Sequence, residues 1–195
     1  MLVALVDTGV SNLTSLTNAL SRLGASYEIN SSKLLEANAI IIPGVGSYDA
    51  AAKKINLVRD FLLDAISKEI PILGICLGYQ LLLESSEEGK EKGLGIFKGK
   101  AVKFSGVKVP HIGWNTLENL KEDKITEGIK ENSYVYFVHS YYPLLEEDIA
   151  LAKTTYGVSF ASIAKKKTVY GFQFHPEKSG TVGLKLLENF LRLSK

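Results

Sequence analysis

The chain has 195 residues, 46% of them hydrophobic, which is enough for one sizeable core and predicts a single domain spanning 1–195. Its 23 basic and 21 acidic residues leave a formal net charge of +2, so composition offers no electrostatic case for nucleic acid or a membrane surface as partner. One cysteine excludes an internal disulfide framework and a multi-cysteine metal site, and no metal or cofactor is expected.

The opening "MLVALVDTGV" reads as a buried strand over 2–6 that stops at Asp7, with no basic n-region and no spanning length. A cytoplasmic protein is expected. A helix over 12–23, strands over 25–29 and 39–42, and a helix over 50–65 broken near Asn56 follow. The apolar run 71–75 is a further strand and 78 opens a further helix. Short apolar runs alternating with helices predict parallel strands joined by crossovers, a doubly wound, flavodoxin-like α/β sheet. The second half changes character. Segments 100–109, 134–138, 149–155, 159–164 and 168–174 are strand-like with little helix between them, predicting an added antiparallel region in the C-terminal half. The run Lys165-Lys166-Lys167 reads as a solvated hairpin turn. An amphipathic helix over 180–193, with Leu184, Leu187, Phe190 and Leu191 at helical spacing, closes the chain.

Ligands in such sheets bind outside the carboxyl ends of the strands. Asp7, Pro43-Gly44-Val45-Gly46 and Cys76 each follow a predicted strand and should meet at one rim. Gly74-Ile75-Cys76-Leu77-Gly78 is G-x-C-x-G at a strand-to-helix junction, the cysteine form of a nucleophile elbow. A thiol is mostly un-ionised at neutral pH, so a nucleophilic cysteine needs a base. His175 ends a strand and Glu177 follows two residues later, on the same side of an extended chain, where a carboxylate can orient an imidazolium. Spacing alone is equally compatible with a surface His beside a surface Glu. His139 and His111 lack an adjacent acid and read as binding or structural histidines. The backbone N–H of Leu77 is an expected oxyanion donor, and "IIPGVGSYD" can supply a second. That loop lacks the third glycine of a dinucleotide fingerprint and the G-K-[ST] of a phosphate loop.

"PGVGSYDAA", "GICLGYQLL" and "GFQFHPEKSG", in that order, resemble the class I (triad) glutamine amidotransferases over essentially the whole chain. Within that family, "PGVGSYDAA", "VPHIGWN" and "YFVHSYY" are most similar to the branch that passes ammonia to a separate (β/α)8-barrel cyclase subunit. That pair makes imidazole glycerol phosphate and an aminoimidazole carboxamide ribotide for histidine biosynthesis. The resemblance implies that Cys76 attacks the carboxamide carbon of L-glutamine, His175 protonates the departing ammonia and Glu177 holds His175. Gly44, Gln80, Glu88, Ser140 and Tyr141 would bind the glutamine, Glu88 facing its ammonium group and Ser140 and Tyr141 acting through their backbone. Glu87 is a rival to Glu88. Turning the Gly44–Val45 peptide would aim the Val45 N–H at the oxyanion. Val45 is β-branched and resists positive φ, so a low basal rate that rises with the partner is expected. Trp114, Asn115, Tyr136 and Lys178 are candidates for the surface facing the cyclase, a buried core position being an equal reading for Trp114. A glutaminase subunit of another synthase, a stand-alone γ-glutamyl hydrolase and a catalytically silent binding module are the alternatives, the last opposed by an intact Cys76, His175 and Glu177.

Overall fold

Alternating side chains set the layers. In β1 (Leu2–Leu5), Val3 and Leu5 enter one core, whereas Ala4 and the following Val6 enter another on the opposite face of the sheet. The computed structural model describes residues 1–9, 13–29, 36–44 and 46–194. After β1 come α1 (Thr14–Arg22), β2 (Ser26–Ile29), β3 (Ala39–Ile42), α2 (Tyr48–Leu57), α3 (Arg59–Ser67), β4 (Ile72–Ile75) and α4 (Leu77–Leu82). Six shorter or antiparallel strands follow: β5 (Ser85–Ser86), β6 (Gly99–Lys103), β7 (His111–Thr116), β8 (Tyr134–His139), β9 (Tyr141–Leu145) and β10 (Ala150–Tyr156). The chain ends with β11 (Val158–Lys166), β12 (Val169–Phe172) and α5 (Gly180–Arg192).

The main sheet has seven strands in the order β10-β11-β12-β4-β3-β1-β2. From β12 to β2 every pairing is parallel; β10 and β11 add an antiparallel edge. This is the expected α/β class, with the flavodoxin-like order in its first half. Helices α1 and α5 cover one face through Leu16, Leu20, Leu186, Leu187 and Phe190. Helices α2, α3 and α4 cover the other through Ala51, Ile55, Leu62 and Leu81. Each fully buried Leu, Ile or Phe here contributes roughly 1.5–3 kcal/mol. Strands β5, β6 and β9 form a small second sheet, and β7 pairs with β8 as a separate ribbon.

Some predicted elements differ in detail. The 50–65 helix is two helices parted at Val58, not at Asn56. The strand expected over 100–109 stops at Lys103, because the chain turns at Gly106 (φ 72). In α5 it is Leu186, not Leu184, that is fully buried. The lysine run does sit at the turn between β11 and β12, with Lys167 at φ 55. It is not wholly solvated, since Lys165 pairs with Asp123 and Lys166 with Glu147. No helix among the described residues is long and apolar enough to cross a membrane.

Candidate active site

β4 ends at Ile75 and α4 begins at Leu77, so Cys76 alone turns the chain, at φ 53 and ψ −108. For a non-glycine residue this conformation costs of order 1–3 kcal/mol and persists only where its surroundings enforce it. Here they do. The Cys76 N–H donates to the Phe172 carbonyl at 2.7 Å, tying the elbow to β12. A Cβ on Gly74 would stand 2.6 Å from the Gly78 carbonyl oxygen, and one on Gly78 only 1.8 Å from that of Ile42. Gly44 is as tight, 2.7 Å from the Leu77 Cβ, so it packs behind the elbow.

β12 runs parallel to β4 with Phe172 opposite Ile75, which brings the chain after it to the same rim. The His175 N–H donates to the Tyr136 carbonyl at 2.9 Å. Ser179 fastens the same junction, its Oγ donating to the His175 carbonyl at 2.6 Å and accepting from the Tyr136 N–H at 2.9 Å. Glu177 Oε1 accepts from His175 Nδ1 at 2.8 Å. The pair meets through a 3-10 turn, Pro176–Lys178, and not along an extended strand as the spacing argument supposed. α5 braces that turn from beneath, since a Cβ on Gly183 would lie 1.9 Å from the Pro176 carbonyl oxygen. Burial opposes charge on His175, but the Cys76 sulfur and then Glu177 outweigh it and push the imidazole up to about 10. Among the described residues Nε2 has no partner at hydrogen-bond geometry, and the nearby sulfur raises the ring first by its charge.

Cys76 opens onto a cleft of about 340 Å³ whose walls include Leu77, Gln80, Glu88, Ser140 and Tyr141. Val45 lies outside the described residues. Asp7 stands on the same rim but away from the cleft, beside Lys54. A larger groove of about 730 Å³ runs along residues 120–131 and holds neither the cysteine nor a histidine. Gln80 commits its Nε2 hydrogens to the Tyr141 carbonyl (2.9 Å) and to Gln173 Oε1 (3.1 Å), which leaves its carbonyl oxygen for a donor on a ligand. Glu88 stands at the open edge, accepting from the Tyr48 N–H at 3.2 Å, and partial burial pushes its carboxyl above the usual range. An ammonium group would relieve that. Glu87, the rival, turns away to Lys100 (3.1 Å) and the Lys103 N–H (3.0 Å).

His139 also lines the cleft, with His111 behind it. His139 Nδ1 lies 2.8 Å from the Tyr141 carbonyl, and its Nε2 lies 3.0 Å from His111 Nδ1. His111 stacks on Tyr156 at 4.0 Å and Phe137 at 4.9 Å. Burial lowers both histidines, His139 to about 3 and His111 to about 4, so both are neutral at pH 7. Sequence reasoning missed two residues of this neighbourhood, Ser179 and Gln173. Both stand inside "GFQFHPEKSG", but neither has a chemistry that singles it out without the fold.

The model of the class-I glutamine amidotransferases matches residues 4–193. The chain belongs to that family. This amidotransferase is 45% identical to the imidazole glycerol phosphate synthase subunit HisH of Archaeoglobus fulgidus, with 100% of both chains covered. It is 48% identical to the HisH subunit of Thermococcus kodakarensis, over 98% of this chain and 100% of that one. Among solved structures, PurLQS from Thermotoga maritima superposes with a TM-score of 0.79 at 20% identity, covering 100% of this chain and 99% of that one, which shows the shared fold.

The four residues expected to face a partner lie on neighbouring elements. Trp114 on β7 is 55% exposed and contacts Tyr136 of β8 edge-on at 5.9 Å, which removes the buried-core reading. Asn115 follows on β7, partly buried, and Lys178 is exposed in the turn after His175.

Proposed function

We propose that this amidotransferase is the glutaminase subunit of an imidazole glycerol phosphate synthase, hydrolysing L-glutamine and delivering ammonia to a (β/α)8-barrel cyclase subunit in the cytoplasm. One observation carries the reading: a strained elbow cysteine opens onto the cleft while the ring of a buried His–Glu pair lies within its electrostatic reach. The identity with HisH subunits over essentially full length supports the choice of synthase. The Cys76 thiolate attacks the carboxamide carbon, and the electron pair moves onto the oxygen. Leu77 opens α4, so its N–H has no intrahelical acceptor and suits that oxyanion. The protonated His175 gives its Nε2 proton to the departing nitrogen, which leaves as ammonia. The neutral ring then takes a proton from water, whose oxygen attacks the γ-glutamyl thioester and releases glutamate and the thiolate. Glu177 keeps the ring in position for both transfers. Glu88 and the Gln80 carbonyl meet the α-ammonium group, and backbone groups of Ser140 and Tyr141 line the rest of the substrate.

Trp114, Tyr136 and Lys178 form the face toward the cyclase, whereas the Asn115 side chain turns to the opposite face of the ribbon, donating to His111 Nε2 and the Thr155 carbonyl. An exposed tryptophan beside a tyrosine suits an interface anchor. The test is glutamate release from glutamine by the chain alone, and with a cyclase subunit and its ribotide substrate. Release that rises with both additions supports the reading. Full activity alone would point to a stand-alone hydrolase.

A further inference from the structure

Gln173 is fully buried and takes no part in lining the cleft, yet its Nε2 stands 3.7 Å from the Cys76 sulfur. Which end of that amide faces the sulfur follows from contacts in series. The Tyr141 carbonyl can only accept, so His139 donates to it from Nδ1 and Gln80 from Nε2. The second Nε2 hydrogen of Gln80 then goes to Gln173 Oε1, and the NH2 end of Gln173 is left for the sulfur. Reversing Gln80 would set two carbonyl oxygens against each other at Tyr141. Reversing Gln173 would set two NH2 groups against each other and its oxygen against the sulfur. Behind this, His139 Nε2 accepts from His111 Nδ1 at 3.0 Å, and His111 Nε2 accepts from Asn115 Nδ2 at 3.3 Å. Both neutral rings are thereby held in one tautomer each.

Among the described residues the sulfur also meets the Val138 carbonyl, at 3.7 Å. That oxygen suits a thiol S–H and opposes a thiolate; the Gln173 N–H does the reverse. We propose that Gln173 is a further catalytic residue, its side-chain N–H donating to the Cys76 sulfur and favouring the thiolate, with Gln80, His139 and His111 as positioning residues that hold the amide in this orientation. The contact serves twice in the proposed glutaminase cycle, on which its catalytic part rests. It favours the thiolate before attack and again when the thiolate leaves the thioester.

The test is the rate at which iodoacetamide alkylates Cys76, the chain's only cysteine, at pH 7 in the purified full-length protein. Gln173→Met keeps the bulk and removes the donor to the sulfur together with the acceptor for Gln80. Alkylation should slow about tenfold, the effect of one hydrogen bond to a charged group. In complex with the cyclase, kcat should fall by a similar factor. Gln173→Glu keeps the shape and the acceptor for Gln80 but sets an oxygen at the sulfur, so it must be at least as slow. A wild-type alkylation rate in folded Gln173→Met, or in Gln173→Glu, would overturn the proposal. His111→Phe keeps the stacks on Tyr156 and Phe137 and removes the remote donor, while Asn115 Nδ2 retains the Thr155 carbonyl; about threefold slower alkylation is expected. Should the Gln173 variants fail to fold, His111→Phe decides, an unchanged rate counting against the proposal. Alkylation needs neither glutamine nor cyclase. A wild-type chain that releases no glutamate even with the cyclase subunit and its ribotide substrate would therefore overturn the functional reading and leave the alkylation result standing.

Discussion

Two groups of histidines share one rim of this molecule and behave in opposite ways. His175, His111 and His139 are 3%, 3% and 5% exposed, so burial is nearly the same for all three. Burial disfavours a charged ring in every case. His175 is nevertheless pushed up to about 10 by the Cys76 sulfur and the Glu177 carboxylate, whereas among the described residues the β7–β8 pair hydrogen-bonds only to carbonyl, amide and each other, and His139 is lowered further by the charge of His175. Partner chemistry, not depth, decides which imidazole is charged. The one that can carry a proton stands beside the nucleophile, and the two that cannot serve as fixed donors.

Removing the sulfur should disturb this contrast most. Cys76→Ala should abolish glutamine-dependent synthesis in complex with the cyclase while synthesis from added ammonium salt persists. In the same variant, the His175 midpoint followed by 15N NMR should fall, since its first upward influence is gone. A midpoint that does not move would break the electrostatic half of the comparison.

Exchanging the roles of the histidines comes next. His175→Ala should lower kcat by several orders of magnitude, and Glu177→Gln by less, about 10²-fold, since orienting groups are less costly to lose. His139→Asn should act on KM and coupling and lower kcat only a few-fold, as a positioning role requires. Steady-state kinetics showing His139 indispensable and His175 dispensable would reverse the assignment.

The two groups should also oppose each other in stability against pH. His175 is raised, so its contribution is fully present below about pH 6.5 and is lost as pH rises through about 10. His139 and His111 are lowered, so theirs is present above about 6.5 and is lost as pH falls toward about 3 and 4. Urea denaturation at pH 7 and pH 4 should show a loss of order 3 kcal/mol traceable to His139, and His139→Asn should flatten that slope. An acid limb unchanged in the variant would count against a neutral His139. Ser179→Ala should show the smallest effect. It frees the Tyr136 N–H and leaves the His175 carbonyl to the Lys178 N–H alone, costing about 1–3 kcal/mol and a few-fold in kcat.

Much of the parallel half is legible in the sequence because each strand is a short apolar run bounded by Gly, Pro or charge; β3 falls on 39–42 as read. The elbow is legible for the same reason, its two glycines marking the close approach of Gly78 to β3. In the ribbon, β8 falls on the strand read over 134–138, but β7 is not legible, and neither is β9 of the small sheet. β7 contains Gly113 at φ 131 and exposes Ile112 and Trp114, and β9 contains Pro143, so neither presents a plain alternating pattern. Gln173 and Ser179 were unreadable because what they do depends on Gln80, Tyr136 and Cys76, which only the folded sheet brings alongside.

One feature of the sheet bears on how the protein is made. β12 lies between β4 and β11 and so joins the parallel block to the antiparallel edge, yet it is the last strand synthesised. The cysteine and the histidine come from adjacent strand ends that are about a hundred residues apart in sequence. A ribosome-bound chain that has not yet released β12 therefore carries Cys76 without His175 beside it, and without the Phe172 carbonyl that anchors the elbow. Closing so distant a contact is an intrinsically slow step. On the proposed mechanism, amidase chemistry thus begins only when this interior strand has zipped in.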